Sequence, residues 1–114
     1  MGGKRSIMLR IAEVWLEVLV KLRVAIEQIE RHDGELARQM RKSGASVALN
    51  IAEGSGVRGK NRGSRYSIAL GEARETLICL RVAHAWGYVS SIDPAVLSGI
   101  DHTIGTLVKV IRRG

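Results

Sequence analysis

The chain has 114 residues, enough for one domain with a modest hydrophobic core and too few for two. Its 18 Lys and Arg residues exceed its 11 Asp and Glu residues, giving a net charge of +7. This excess of positive charge favours a phosphate-bearing partner, with nucleic acid preferred over an anionic membrane. The alternative is that the charge only keeps the protein soluble. The single cysteine, Cys79, excludes an intramolecular disulfide and fits a reducing, cytoplasmic compartment. Lys21 and Arg23 interrupt the longest apolar run, so we expect no membrane span.

A first helix is predicted over 7–31, because apolar residues recur there in alternating steps of four and three. These residues are Ile11, Trp15, Val18, Leu22, Ala25 and Ile29. Asp33 is expected to cap a second helix, over 34–54, by accepting hydrogen bonds from its first backbone amides. Gly44 costs about 1 kcal/mol relative to alanine inside a helix, so we expect it to allow close packing.

A third helix is predicted over 63–86, and Gly87 is expected to end it. Asp93 followed by Pro94 is a strong start signal for a fourth helix over 94–112, since aspartate caps the helix and proline suits its first position. The connections are short, and no segment has the alternating pattern of a strand. The whole chain is therefore predicted to form a single all-α domain, an antiparallel up-down-up-down four-helix bundle.

The stretch 46–72, which contains the end of the second helix, a glycine-rich loop and the start of the third helix, is the most function-like part of the sequence. It is rich in glycine, and its cations, with no acidic residue among them, are Arg58, Lys60, Arg62 and Arg65. Exposed backbone amides and a helix N-terminus favour an anion, so the segment predicts a grip on a phosphate backbone that does not read bases. Arg41 and Lys42 are added to this nucleic-acid site. The alternative, given equal weight, is a flexible solvated linker.

Two nucleotide-binding patterns overlap in the same segment, and both lack their structural context. Residues 54–59 match G-x-G-x-x-G, and 54–61 match the P-loop except that Asn61 stands where serine or threonine should hold magnesium. Both motifs follow a strand, whereas a helix is predicted here. We therefore expect no nucleotide cofactor.

Asn50 and Glu53 are expected near the inward edge of the second helix. Polar groups beside Ile51 are costly to bury without hydrogen bonds, which favours a structural network over a catalytic carboxylate. No second acid, nucleophile or metal-binding pair stands nearby, and the three histidines lack ligand spacing. We expect no catalytic residue, no metal, no cofactor and no enzymatic activity.

Three stretches of the chain, SVALNIAEG at 46–54, IALG at 68–71 and GYV at 87–89, resemble a small bacterial four-helix-bundle family. The family is named for reading frames in the intervening sequences of 23S ribosomal RNA genes, and includes the accessory variability proteins of diversity-generating retroelements. The resemblance implies a non-enzymatic protomer that assembles into a homopentameric barrel. In the retroelement branch, it implies a basic surface that contacts nucleic acid and a reverse transcriptase. It also implies a structural role for the signature residues Asn50, Glu53 and Gly54.

The chain departs from the family pattern near the start of the third helix. Arg62 and Arg65 stand about where many members have phenylalanine, Ala48 stands where proline is common, and the chain contains no phenylalanine. We therefore expect the start of this helix to be exposed and basic.

Two functional hypotheses follow. The first is a cytoplasmic, non-catalytic accessory protein that binds RNA or DNA and, by resemblance, assists a reverse transcriptase. The second is an oligomeric protein-interaction scaffold without direct nucleic-acid binding. It is favoured by apolar residues beyond one stripe per helix, which suggest a second buried face: Leu16, Val20, Val24 and Val110.

Overall fold

The computed structural model describes residues 3–56 and 60–113, apart from the side chains of 4–6 and 60. The helices are α1 (Gly3–Glu30), α2 (Gly34–Gly56), α3 (Lys60–Ala85) and α4 (Pro94–Arg112). The described residues contain no strand, and the predicted all-α, four-helix fold is confirmed.

Helices α2 and α3 extend into the segment predicted as a glycine-rich loop. α2 continues through Gly56 and α3 begins at Lys60, so the predicted loop is wrong outside 57–59, which lie beyond the described residues. Ser55 is buried and its Oγ lies 3.2 Å from Oη of Tyr66. This buried contact between the two helices offsets the entropy that glycine loses in a helix.

The four helices pack in a ring, because α1 and α3 each contact both α2 and α4. Contacts between α1 and α2 show their relative direction. Trp15 of α1 donates a hydrogen bond to Gly44 of α2, whereas Glu30, nearer the end of α1, pairs with Arg41, nearer the start of α2. These two helices are therefore antiparallel.

Helices α2 and α3 are also antiparallel, and buried hydroxyl groups join them. Ser43 Oγ lies 2.7 Å from Oγ1 of Thr76. Ser55, nearer the end of α2, contacts Tyr66, which is nearer the start of α3. Each hydroxyl of the first pair also lies within donating distance of a backbone carbonyl, Thr76 Oγ1 of the Glu72 carbonyl and Ser43 Oγ of the Met40 carbonyl. Hydroxyls buried with partners avoid the cost of an unpaired polar group.

Trp15 lies at the centre of the core, fully buried. Its Nε1 donates to the Gly44 carbonyl over 2.8 Å, and a Cβ on Gly44 would lie 2.9 Å from Cδ2 of Leu19. The predicted packing role of Gly44 is confirmed. Gly99 serves the same purpose between α4 and α1, because a Cβ there would collide with Cγ2 of Val18.

The predicted caps are confirmed at the end that carries the connections 31–33 and 86–93. Asp33 Oδ1 accepts from the Leu36 amide over 3.0 Å, and Asp93 Oδ1 accepts from the Ala95 amide over 2.9 Å. Gly87 has φ +78°, a conformation that only glycine adopts without strain, and it turns the chain out of α3.

The residues predicted to form a second apolar face divide into two groups. Val110 is 6% exposed and belongs to the core, so its assignment to that face is wrong. α4 turns Val110 inward because it lies three residues after Leu107 and ten after Ile100, both fully buried. Leu16, Val20 and Val24 are exposed.

None of the helices in the described ranges combines the length and the hydropathy of a membrane-spanning segment.

Candidate nucleic-acid interface

The first turns of α3 carry the cations expected to bind phosphate. Arg65 is exposed and Arg62 is half-buried. Arg58 and the side chain of Lys60 lie outside the described part of the chain. α3 has no acidic residue in its first turn, so its positive dipole end and its cations act with the same sign on an anion.

Tyr66 holds this start of α3 against the end of α2. Its ring is 2% exposed, and a Cβ on Gly54 would lie 2.5 Å from Cε1 and 2.7 Å from Cδ1 of that ring. Only glycine permits this approach. The buried tyrosine fixes the backbone on which the neighbouring Arg65 points outward.

Asn50 links the two helices beside that contact. Its Nδ2 donates to the carbonyl and to Oγ of Ser46, over 2.9 and 3.0 Å, and its Oδ1 accepts from Nη1 of Arg65 over 3.4 Å. The long bond to Arg65 orients the guanidinium, while the rest of that exposed side chain is available to a ligand.

Glu53 is exposed, so its expected inward position is wrong. Three residues after Asn50 the helix has turned about 300°, which carries position 53 past the edge of the buried face. The carboxylate therefore faces solvent near Gly54.

Arg41 and Lys42 do not join the cations of α3, contrary to the predicted site. Arg41 Nη2 pairs with Glu30 Oε1 at 2.5 Å, and Lys42 shares a cleft with Glu72 and Glu75. Along α2, Lys42 lies about 12 Å from Asn50, the residue that Arg65 contacts. An ion pair therefore engages Arg41, and Lys42 faces a cleft that contains two carboxylates.

Sequence reasoning missed four exposed cations on α1 and α4: Arg10, Lys109, Arg112 and Arg113. α4 runs antiparallel to α1, and Arg10 shares a cleft with His102 and Thr106 of α4. These cations therefore lie at the same end of the bundle as the start of α3. The predicted antiparallel bundle already implied this, because it places cations near the start of the first and third helices at the same end as cations near the end of the fourth.

The described residues contain no group of three His, Cys, Asp or Glu side chains that could hold a metal ion. Cys79 is 5% exposed, and burial, followed by the charge of Glu75, raises the pKa of its thiol. A thiol that stays protonated is a poor nucleophile.

A family model described as 23S rRNA-intervening sequence protein matches residues 12–109. The matched range includes α2 and α3 entirely and most of α1 and α4. No curated protein matches the chain significantly. No solved structure matches it significantly either.

Proposed function

Because the chain belongs to the family of 23S rRNA-intervening sequence proteins, we propose that it is a non-catalytic protein that binds the phosphate backbone of RNA or DNA. One observation carries the proposal: residues 54–71 contain four Lys and Arg and no acidic residue, and they include the exposed Arg65 at a helix start. A cation at such a position meets a phosphate together with the helix dipole.

The expected contact does not depend on base sequence. Arginine presents a planar fork of donors that matches phosphate oxygens, whereas reading bases requires side chains that reach their edges or stack on them. Tyr66, the aromatic residue nearest to these cations in sequence, is buried against Gly54 and bonded to Ser55. Recognition of phosphate with little sequence preference follows.

The resemblance supports finer proposals about assembly and partner. The chain acts as a homopentamer and assists a retroelement reverse transcriptase in the cytoplasm. Exposed apolar residues on two adjacent helices support the assembly, because a lone protomer leaves them in water: Leu16, Val20 and Val24 on α1, and Leu49 on α2.

The same apolar surface favours a second candidate function, an oligomeric protein-interaction scaffold without nucleic-acid binding. Val20 is 67% exposed, and it lines a groove between α1 and α2 together with Ala45. Sedimentation of the wild type and of Val20→Glu tests this surface. A monomeric wild type would remove both the pentamer and the scaffold.

The binding proposal is tested by fluorescence anisotropy with RNA and DNA oligonucleotides across a salt series. The wild type is compared with Arg62→Glu/Arg65→Glu and with the control Arg31→Glu/Arg81→Glu, which has the same net charge. We expect the first variant to lose about tenfold or more in affinity, with a shallower salt dependence, because each phosphate contact releases counterions. The control should bind as the wild type does.

Binding that is insensitive to salt, or an equal loss in the control, would contradict a phosphate grip at the start of α3. If the wild type binds no oligonucleotide at low salt, the nucleic-acid proposal fails and the scaffold function remains.

A further inference from the structure

The positive charge of the chain is concentrated in three segments that contain no acidic residue: 3–12, 54–71 and 102–113. These segments hold ten of the 18 Lys and Arg residues. The rest of the chain holds eight Lys and Arg against all 11 Asp and Glu, a net charge of −3. Solubility requires a net charge but not its concentration in segments that lack acids.

The antiparallel ring brings these three segments together. α1 and α3 begin at the end of the bundle where α2 and α4 finish, so 3–12, 102–113 and the described part of 54–71 share that end. We call it the basic end. Val18 of α1 packs on Gly99 of α4 near the middle of the bundle. From this contact, the residues before Val18 and the residues after Gly99 both lead to the basic end.

Exposed cations at the basic end also lie on α4, which contacts α3, and on α1, which contacts α4. Lys109 and Arg112 are three residues apart and share one face of α4, and Arg113 follows directly. Arg10 extends the surface onto α1 beside His102.

Helix stability accounts for only part of this pattern. Lys109 and Arg112 lie in the last turn of α4, where a cation favours the helix dipole. The same dipole favours acids at helix starts, and α2 follows that rule with Glu35. α1 and α3, which start at the basic end, have no acidic residue in their first turns. Helix stability alone therefore does not account for the charge pattern at the basic end.

We propose that the basic end as a whole is the nucleic-acid-binding surface, with Arg10, Lys109, Arg112 and Arg113 binding the same phosphate backbone as Arg62 and Arg65. This inference rests on the proposed function. The molecule measures 46 × 23 × 20 Å, so its end face is about 20 Å across. At 3.4 Å per nucleotide along one strand, the face covers about six nucleotides. Arg10, Arg112 and Arg113 lie outside the matched range 12–109, so the family match does not by itself imply them.

The test uses full-length protein and 12-nucleotide single strands and 12-base-pair duplexes, with anisotropy measured from 0.05 to 0.5 M NaCl. Lys109→Gln/Arg112→Gln/Arg113→Gln is compared with the control Lys21→Gln/Arg31→Gln/Arg81→Gln. Both variants lose three positive charges, but the control removes them away from the basic end. Circular dichroism melting establishes that both variants fold.

We expect the α4 variant to lose about two to three units from the slope of log affinity against log salt, because each phosphate contact contributes about 0.7 to 0.9. Its affinity should fall about tenfold or more at 0.15 M salt, while the control changes by about twofold or less. Arg10→Gln alone should remove about one unit of slope.

Equal losses in the α4 variant and the control would overturn the inference, since net charge alone would then explain binding. An α4 variant that binds as the wild type does, while Arg62→Glu/Arg65→Glu loses binding, would overturn the inference but leave the proposed function standing. A wild type that binds neither probe at low salt would overturn both.

Discussion

The two ends of the bundle are built from the same four helices but treat charge in opposite ways. The end with connections 31–33 and 86–93, here called the hairpin end, uses its acids as caps and ion-pair partners. These are Asp33 and Asp93 at helix starts, and the pairs Glu35–Arg38 and Glu30–Arg41. The basic end is formed by segments without acids, and the exposed Glu53 of α2 lies directly beside them. The excess of positive charge is therefore concentrated at one end of the molecule.

The hairpin end also satisfies its backbone groups locally. The Gly87 amide donates to the His84 carbonyl, and the Tyr88 amide donates to the Ala83 carbonyl, which together form a Schellman motif. His32 stacks on Tyr88 with ring centroids 5.1 Å apart. This end therefore closes through contacts within the protomer.

The largest expected effect concerns the packing that carries the basic end. Gly54→Ala should destabilise the fold by about 1 to 3 kcal/mol, because its Cβ would overlap the buried Tyr66 ring. Chemical denaturation measures this loss. Gly71→Ala is the matched control in α3, since a Cβ there meets nothing within 4 Å. This substitution should stabilise the fold by about 0.5 to 1 kcal/mol, because alanine is favoured over glycine inside a helix. Equal stabilities for the two variants would contradict the tight contact.

A smaller effect is expected from the cap of α4 at the hairpin end. Asp93→Ala should cost about 1 kcal/mol, because the Ala95 amide loses its acceptor. For 114 residues, at about 2.1 cal/mol/K of unfolding entropy per residue, that corresponds to a fall in Tm of about 4 °C. Asp93→Asn keeps a capping oxygen and should retain most of the stability. If asparagine destabilised as much as alanine, the carboxylate charge and not the cap would be the stabilising feature.

Salt should distinguish the two ends directly. Raising NaCl from 0.05 to 0.5 M screens like charges, so amide-exchange protection should rise about two- to threefold in 60–66 and 107–112. Protection in 34–38 and 94–98 should stay constant or fall slightly, because attractive pairs there are screened as well. Mass spectrometry of exchange measures both ends in one sample. An equal rise at both ends would mean that the repulsion is not localised.

The smallest effect concerns Cys79, which lies one turn after Glu75 in the half of α3 that leads to the hairpin end. Burial and the Glu75 carboxylate both raise its pKa, whereas a cation-rich setting would lower it. Because the thiol has a higher pKa in the folded than in the unfolded protein, the protonated thiol contributes fully to the free energy of unfolding at pH values below the unfolded pKa. This contribution is lost as the pH rises through the folded pKa.

Urea unfolding of the wild type and of Cys79→Ala at pH 7.5 and 9.5 measures this loss. The wild type should lose slightly more stability than the variant at the higher pH. Alkylation of the native thiol by iodoacetamide should also be slow at pH 7.5. Rapid alkylation of the folded protein would show a lowered pKa and contradict the assignment.

Local signals predicted the helices well and failed where a tertiary contact intervened. Asp33, Gly87 and Asp93 cap or end helices as their local patterns indicate. The segment 55–62 was predicted as a loop from its composition, yet its described residues, 55–56 and 60–62, are helical, beside the buried Ser55 and the approach of Tyr66 to Gly54. Glycine content alone does not report such a partner ring.

The candidate site was only partly predictable for the same reason. The exposed, basic start of α3 followed from arginines at 62 and 65, and Arg65 is exposed as expected. Arg41 and Lys42 are near these residues in sequence, but α2 carries them towards the acids of other helices. Proximity in sequence was a poor guide because a helix separates residues by about 1.5 Å each along its axis.

Periodicity, capping residues and signature words are encoded locally, so they were sufficient to predict the four helices, their caps and the family. Which cations share a surface depends instead on how the helices pack. Arg10, Arg65 and Arg112 are about fifty residues apart from one to the next, and no local pattern relates them. Antiparallel packing places them at one end of the bundle, because alternate helices start where the others finish.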